Sequence, residues 1–243
     1  MSAFATAHFR RWIFLCAVVA MPLVLRAQQT TNISFNNLNL AIPDNDPNGT
    51  HNSQVVAGLS GSISNVQVSV TIAGTGGGAF NGDFFAELVN NSGGFAVLLN
   101  RAGMSSSNQF GYGDNGFSVT FSDMAAHDIH FYQNYSYGTN AGGALTGVWQ
   151  PDGENISPLA DPSAFDAAMS QQTAMLSSFD GENPNDTWTL FLADLSDGGT
   201  GQVTGWSLDI TTVPEPVETG IFAVGLAVGI CFLRKQKKCG FRR

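Results

Sequence analysis

The segment from Asp44 to Gly49, DNDPNG, places carboxylate and amide oxygens close together near the start of the chain. Calcium in proteins takes about six to eight oxygen ligands, and loops of this composition supply them. The segment begins like the D-x-[DN]-x-[DN]-G pattern, but its twelfth position is Val55 rather than Glu, which excludes an EF-hand. We predict that calcium binds Asp44, Asp46 and Asn48.

A second acidic group lies far downstream, in the loops on either side of one predicted strand. Its members are Asp180, Glu182, Asp186, Asp194 and Asp197. The same argument assigns them to calcium, because loops rich in carboxylates, amides and free carbonyls match its preference. Turn and capping chemistry is the alternative, since Asp and Asn are favoured in turns whether or not a cation binds.

The tetrapeptide His127-Asp128-Ile129-His130 combines imidazole and carboxylate groups, which are zinc ligands. On a β-strand, residues three apart face opposite sides, so the two histidines would not bind one ion. Only Asp128 and His130 would share a face. We therefore predict a partly exposed edge strand with ordinary polar residues rather than a zinc site.

Covalent catalysis needs a nucleophile with a base within hydrogen-bond reach, and no spacing in this sequence predicts such a pair. The nearest candidate is the segment GMSSSN, residues 103–108, which reads as a polar turn without a partner motif. We predict that the chain is not an enzyme and has no catalytic residue.

The first residues of the chain have the order of a secretory signal peptide. Arg10 and Arg11 form a positive region, residues 12–25 are apolar, and Ala27 offers a small residue at the cleavage point. We predict a signal helix within residues 1–27, with cleavage between Ala27 and Gln28. The protein is then exported, and works in the cell envelope, on the surface or outside the cell.

The last residues, 213–243, join Val213-Pro214-Glu215-Pro216 to an apolar run and a basic tail. The uncharged residues 220–233 would form a helix about 21 Å long, against roughly 30 Å of bilayer hydrocarbon. Snorkelling basic side chains close part of that gap. We predict a short transmembrane helix that anchors the protein transiently, with a permanent anchor as the alternative.

Between these two ends, Arg101 is the only Lys or Arg, and 17 acidic residues give residues 28–213 a formal charge of −16. Nucleic acid is excluded as a partner, because phosphate binding needs clustered Lys or Arg, whereas cations and basic partners fit. This part contains no Cys, so it forms no disulfide, and its length suffices for one hydrophobic core. We assign residues 28–212 to one domain.

Alternating apolar and polar residues dominate this domain. In NVQVSVTIA, residues 65–73, Val66, Val68, Val70 and Ile72 share one face of a strand. The same alternation recurs in residues 83–90, 95–100, 117–122, 187–193 and 202–210. Turns rich in Gly, Asn and Ser separate these runs, so we predict an all-β fold, an antiparallel β-sandwich.

Two segments depart from this alternation. Residues 136–158 are rich in Gly and Asn without a period, and a connection of this length usually covers a sheet edge or carries a site. Residues 161–179 begin with Asp161 and Pro162, a plausible N-cap and first helical position. The apolar residues that follow at near-helical spacing are Phe165, Ala168, Met169, Met175 and Leu176. We predict a short helix or an ordered loop across the sandwich.

Several short motifs follow one another in a set order between Phe35 and Ile210. They are Ile42-Pro43-Asp44, residues 66–72, Gly82-Asp83 with Leu88, Gly93-Gly94 before Val97 and Leu98, residues 185–190, Asp194, and residues 201–206 with Leu208. In this order the chain resembles the P domain (P/Homo B domain) of kexin-like and subtilisin-like proprotein convertases. The resemblance implies a jelly-roll-like β-sandwich. Where family members often carry a His-Thr-Tyr-like triplet, this chain has GGGAF at residues 76–80.

In the convertases the P domain accompanies a separate catalytic domain. This chain has neither a GTSMA-like nucleophile segment nor a DHGT-like histidine segment, so the resemblance implies the accessory domain alone. The VPEP tetrapeptide with its apolar run and basic tail is similar to the PEP-CTERM sorting signal. In that family an exosortase, a transpeptidase-like membrane protease, recognises the signal and is thought to cut near it. The prolines beside Glu215 hold the backbone extended for such a cleft.

The leading interpretation is an exported surface module that acts in adhesion, scaffolding or protein interaction. One alternative is an accessory P domain that assists a subtilisin/kexin-like protease in trans. Another is a carbohydrate-binding module, because aromatic side chains near the predicted loops could stack on sugar rings. These aromatic residues are Phe110, Tyr112, Tyr132, Tyr135, Tyr137 and Trp149. Core packing is the competing use for most of them.

Overall fold

The computed structural model of the chain describes residues 28–168 and 171–214. Within these ranges the strands are β1 (Gln29–Ile42), β2 (Asp46–Val55), β3 (Ser62–Thr75), β4 (Phe84–Asn90), β5 (Phe95–Asn100), β6 (Gly116–Phe121), β7 (Gly138–Thr139), β8 (Leu145–Trp149), β9 (Thr187–Asp194) and β10 (Thr200–Val213). One α-helix, α1 (Pro162–Ala168), and 3-10 helices at Asn81–Asp83, Ile129–Asn134 and Leu176–Phe179 complete the described elements.

The strands form two sheets. A six-stranded sheet has the order β1-β10-β3-β6-β8-β7, and a four-stranded sheet has the order β2-β9-β4-β5. The two sheets share one core, as the sequence predicted for an all-β sandwich. The prediction of a wholly antiparallel fold is wrong in one place, because β6 and β8 pair in parallel. The long connection between those two strands makes this direction possible.

Alternation along the strands builds that core. Val68, Val70 and Ile72 of β3 are at most 1% exposed, which confirms the predicted buried face. Across the sandwich, Trp188 and Leu190 of β9 are fully buried in the same cluster. Removal of these side chains from water is the main favourable contribution to folding, at about 25 cal/mol for each Å² of apolar surface.

The buried tryptophans also satisfy their polar groups. Trp188 Nε1 donates to the Pro184 carbonyl oxygen at 3.2 Å. Trp206 Nε1 donates to Asn52 Oδ1 at 2.9 Å, and its ring centroid lies 4.6 Å from that of Phe35. Because Asn52 belongs to β2 and Trp206 to β10, this hydrogen bond joins the two sheets.

Strands β1 and β2 were not predicted, because Asn and Asp are depleted in strands and are frequent here. The DNDPNG segment starts β2 and forms a bulge between Asp46 and Thr50 against β9. Gly49 has a φ of +54°, and a Cβ at that position would overlap the carbonyl oxygen of Leu192. The close approach of β9 therefore accounts for this glycine.

The predicted helix is shorter than its sequence pattern. α1 ends at Ala168 as described, and Phe165 is its buried residue. Leu176 lies in a separate 3-10 helix, so it does not continue the face of α1, and Met169 lies outside the described residues. The segments predicted as a signal helix and as a C-terminal transmembrane helix also fall outside the described residues. In the described ranges no helix is long and apolar enough to cross a membrane.

The contribution of the core is testable at Leu190. We expect Leu190→Ala to lower the free energy of unfolding by about 3 kcal/mol, because it leaves a cavity between the sheets. Val148→Ala is the matched control, since Val148 is 59% exposed and its truncation should change stability by less than about 0.5 kcal/mol. Urea denaturation followed by tryptophan fluorescence measures both. Equal losses in the two variants would contradict the assignment of the core.

Candidate functional site

The predicted calcium ligands do not form one group. Asp186 immediately precedes β9 and Asp194 is its last residue, so about 26 Å of extended chain separates them, at roughly 3.3 Å per residue. Asp180 and Glu182 lie at the Asp186 end, whereas Asp197 lies beyond Asp194. The downstream acidic group is therefore divided between the two ends of the sandwich.

At the Asp186 end the carboxylates make turn hydrogen bonds. Asp186 Oδ2 accepts from the backbone N and the Oγ of Ser92, both at 2.7 Å. Glu182 Oε2 accepts from Asn90 Nδ2 at 2.6 Å. Although partial burial opposes it, the hydrogen bonds from Ser92 and Thr187 lower the pKa of Asp186. This geometry matches the alternative given for these residues, turn chemistry.

At the other end, the structure brings Asp44 and Asp194 near Asp83. Asp83 belongs to the 3-10 helix before β4 and was not predicted as a site residue, although Gly82-Asp83 was part of the motif order. Asp46 pairs with Asp194 between β2 and β9. The Asp46 side chain accepts from the Asn48 backbone N at 2.9 Å and from its Nδ2 at 2.8 Å.

The single Lys or Arg of the domain lies in this acidic group. Arg101 Nη2 is 3.9 Å from Asp83 Oδ1 and donates to Ser196 Oγ at 2.8 Å, while its Nε donates to the Gly82 carbonyl oxygen at 3.1 Å. Arg101 has a φ of +54°, which is rare for a residue with a side chain. The guanidinium therefore holds the loop after β5 against the acidic residues.

Asp194 is the most confined carboxylate of this end. It is fully buried, its Oδ1 accepts from the Ser196 backbone N at 3.3 Å, and its Oδ2 has no hydrogen-bond partner among the described residues. Burial raises the pKa of Asp194 to about 7, with further increases from the charges of Asp83 and Asp44. Burial also raises the pKa of Asp83.

The interpretation of the His127–His130 segment is wrong. The segment is not an edge strand, because Asp128 caps a 3-10 helix through a hydrogen bond from the His130 backbone N to Asp128 Oδ1 at 2.8 Å. His127 is exposed and stacks on Tyr135, with 3.7 Å between the ring centroids. His130 is fully buried instead, beneath Phe165 of α1.

His130 belongs to a buried cluster that the sequence analysis missed. Its Nδ1 lies 2.8 Å from Asp152 Oδ2, and its Nε2 lies 3.0 Å from the Met104 carbonyl oxygen. Asp152 Oδ2 also accepts from the Asn100 backbone N at 3.1 Å. Asp152 and Glu154 come from the segment 136–158, whose length indicated a covered edge or a site. Their Asp-x-Glu spacing after Pro151 was the only local signal.

Glu154 completes the cluster. His130, Asp152 and Glu154 each offer one ligand atom, and these three atoms lie within 4.8 Å of one another. Glu154 is fully buried, and neither of its carboxylate oxygens has a hydrogen-bond partner in the described part of the chain. Asn100, also fully buried, donates its Nδ2 to the carbonyl oxygens of Glu154 and Ile156 at 3.1 and 3.3 Å, and its Oδ1 has no partner there.

Burial and mutual repulsion set the protonation of this cluster. Burial raises the pKa of Glu154 to about 8 and that of Asp128 to about 7, and the charge of Asp152 adds to both. Burial lowers the pKa of His130, but the charge and hydrogen bond of Asp152 outweigh it and raise the pKa to about 9. His130, Asp152 and Glu154 have no exposed surface, so the cluster as described offers a substrate no access.

The outer strand β1 forms a different kind of candidate site. β1 stands at one end of the six-stranded sheet, and its outer row of backbone groups pairs with no described strand. Its 14 residues include neither a charged residue nor a proline. A register shift between Asn36 and Leu40 leaves Gln29–Asn36 as the regular part.

The predicted aromatic residues divide between core and surface. Tyr132 is fully buried and Trp149 is 5% exposed, so both belong to the core. Phe110 is 71% exposed, and Tyr135 and Tyr137 are exposed beside the buried Tyr132. Tyr112 is half-buried against Tyr132. Three of the six are therefore available to a ligand.

No protein-family model and no curated protein matches this chain. Among solved structures, one similar chain comes from the complex of the Aeromonas sobria serine protease with its chaperone, with 17% identity and a TM-score of 0.41, covering 80% of this chain and 28% of that chain. The serine protease of Aeromonas sobria gives 17% identity and a TM-score of 0.40, covering 81% of this chain and 29% of that chain. This chain thus spans under a third of those chains. Likeness at this level defines neither a family nor an activity.

The raised pKa of Asp194 predicts a pH-dependent stability. Because the pKa is about 7 in the folded protein and near 3.8 when unfolded, the folded state holds the proton more tightly. In a chelating buffer, the melting temperature should therefore fall as the pH rises between those two values. Asp194→Asn cannot ionise and should remove part of this fall.

Differential scanning fluorimetry between about pH 4 and pH 8 measures the effect. Asp161→Asn is the matched control, because Asp161 is exposed and makes no described hydrogen bond or ion pair with Asp83, Asp44 or Arg101. Asp128 and Glu154 act in the same direction, so the variants are compared with the parent at each pH. Identical pH profiles for the parent and Asp194→Asn would contradict the prediction.

Proposed function

We propose that the chain is an exported β-sandwich module, jelly-roll-like in its connections, that acts by binding in adhesion, scaffolding or protein interaction. The observation that supports it best is the outer strand β1, a long edge strand without a charge or a proline. Natural proteins protect such edges with charged residues, prolines or short strands, because an unprotected edge pairs readily with another chain.

The other sheet edges differ from β1 in this respect. β7, at the far end of the same sheet, has only two residues. β2 contains Asp46, Pro47 and a bulge, and β5 donates from the Val97 backbone N to the Ala174 carbonyl oxygen at 2.9 Å. β1 is therefore the edge that a strand of another molecule would extend. A second copy of this chain is the partner that we propose.

Self-association should respond to both charge and salt. Copies with a formal charge of −16 over residues 28–213 repel one another, so salt should strengthen association by screening that repulsion. Ser34→Lys should weaken association at least about tenfold, because a charged side chain on an edge strand opposes pairing with another strand. Analytical ultracentrifugation of the purified protein at low and high salt measures the distribution.

Ser118→Lys is the matched control, since Ser118 belongs to β6 in the interior of the same sheet. It adds the same charge away from the edge, and should associate like the parent. A protein that stays monomeric at about 1 M salt, where the Debye length is only about 3 Å, would overturn the proposed assembly.

Delivery to the surface is part of the proposal. The PEP-CTERM-like segment would direct the protein to an exosortase, with the membrane as a transient or permanent anchor. β10 extends to Val213, the first residue of that motif, and Pro214 follows it. Pro214 cannot donate a hydrogen bond to a sheet, which makes it a suitable end for the folded part.

A carbohydrate-binding role is the second candidate. The observation that favours it is the exposure of Tyr135, Tyr137 and Phe110, since exposed aromatic rings stack on sugars. Retention on a polysaccharide column that Tyr137→Ala abolishes would favour this role.

The accessory role implied by the resemblance to P domains predicts co-purification with a subtilisin-like protease.

We also propose calcium as a ligand of the Asp44 end. The supporting observation is the buried Asp194 Oδ2, which has no partner in the described ranges and lies near Asp83 and Asp44. Calcium should raise the melting temperature of chelated protein, because a cation bound only by the folded state stabilises it. Asp194→Asn should lose most of the shift, whereas Asp186→Asn should keep it. An unchanged melting curve on chelation and readdition would reject the site.

A further inference from the structure

The buried cluster of His130, Asp152 and Glu154 has the composition of a metal site. Imidazole and carboxylate groups together are ligands of divalent transition-metal ions, whereas calcium and magnesium prefer oxygen alone. The three side chains come from separate segments, the 3-10 helix at Ile129–Asn134 and the loop after β8. Their ligand atoms nevertheless lie within 4.8 Å of one another.

The orientation of His130 fits metal binding. Its Nε2 lies 3.0 Å from the Met104 carbonyl oxygen, which can only accept a hydrogen bond, so Nε2 carries a proton. In a neutral imidazole the lone pair is then on Nδ1, which faces the carboxylates. A hydrogen bond from the distal ring nitrogen to a backbone carbonyl is the usual way in which proteins orient a metal-binding histidine.

The separation of the His130 and Asp152 ligand atoms fits as well. His130 Nδ1 and Asp152 Oδ2 are 2.8 Å apart. Two atoms that each bind one zinc ion at about 2.0 Å lie roughly 2.8–3.3 Å apart in octahedral or tetrahedral geometry. The observed separation therefore serves either a direct hydrogen bond or two ligands of one ion.

The unpartnered atoms distinguish these two possibilities. A direct hydrogen bond between His130 and Asp152 leaves both oxygens of Glu154 buried without a partner among the described residues. Such a group costs roughly 1–3 kcal/mol, and more when it is charged. Asn100 Oδ1 is also buried without a hydrogen-bond partner among the described residues. Asn100 Nδ2 donates to the carbonyl oxygens of Glu154 and Ile156. A cation bound by His130 and Asp152 would also give the Glu154 carboxylate a partner.

Charge balance supports the same conclusion. Asp128, Asp152 and Glu154 surround one histidine, and Arg101, the only Lys or Arg in residues 28–213, contacts Asp83 and Ser196 instead. We propose that His130 Nδ1, Asp152 and Glu154 bind one divalent transition-metal ion of the zinc class. The ion would tie the loop after β8 to the 3-10 helix and, through Asn100, to the end of β5. Its role is structural, because the site is closed to solvent.

Zinc itself is the probe for the experiment. The full-length protein is stripped with a chelator, its thiols are blocked with iodoacetamide, and zinc binding is measured by competition with a chromophoric chelator and by elemental analysis. We expect one equivalent of zinc per chain, unaffected by excess calcium. His130→Gln and Glu154→Gln should weaken binding more than about 100-fold, beyond the usual cost of an outer-shell change.

His127→Gln is the matched control, because His127 lies three residues from His130 and is exposed. It should bind zinc like the parent. Circular dichroism establishes that each variant is folded. X-ray absorption of the zinc-loaded parent needs no variant, and should show one imidazole with an oxygen shell.

Three binding results would overturn the proposal. They are less than about 0.1 equivalent of bound zinc, unchanged affinity in both His130→Gln and Glu154→Gln, or loss of binding in His127→Gln alone. An X-ray absorption spectrum without an imidazole would also do so. Because no step involves β1, failure here leaves the proposed self-association untouched, and the reverse also holds.

Discussion

The scarcity of positive charge constrains this domain more than any other feature. A single Lys or Arg faces 17 acidic residues in residues 28–213, yet several carboxylates are buried. Arg101 serves the group at the Asp44 end through Asp83 and Ser196. The cluster around His130 receives only the imidazole. Folding therefore requires bound protons or bound cations at both places, since an unpaired buried carboxylate is costly.

The hydrophobic alternation predicted the parts of the fold that it governs. The buried face of β3 and the strands β4, β5, β6, β9 and β10 follow from apolar residues at every second position. β1 and β2 were not predicted, because their Asn-rich composition resembles that of a loop. They are strands because they pair with β10 and β9. Pairing between distant segments is tertiary information that local pattern does not carry.

The candidate sites show the same division. The sequence indicated Asp44 and Asp194, and the structure brings them together because β2 pairs with β9. The sequence analysis also placed Asp186 and Asp194 in one group, although the length of β9 separates the two residues. His130 was assigned to an exposed strand because its period was read as two, whereas Asp128 starts a helical turn there. Asp152 and Glu154 lie more than 20 residues away, and only packing unites them with His130.

The position of β10 between β1 and β3 affects the order in which the strands of this chain can pair. β1 begins at Gln29, and its partner ends at Val213, so the sheet closes only when the last strand has arrived. Contacts of such long sequence separation form slowly, because the intervening chain must first be ordered. β1 therefore acquires its partner only after the chain has been made as far as Val213. A cut upstream of Val213 would remove residues of β10, the strand that pairs with both β1 and β3.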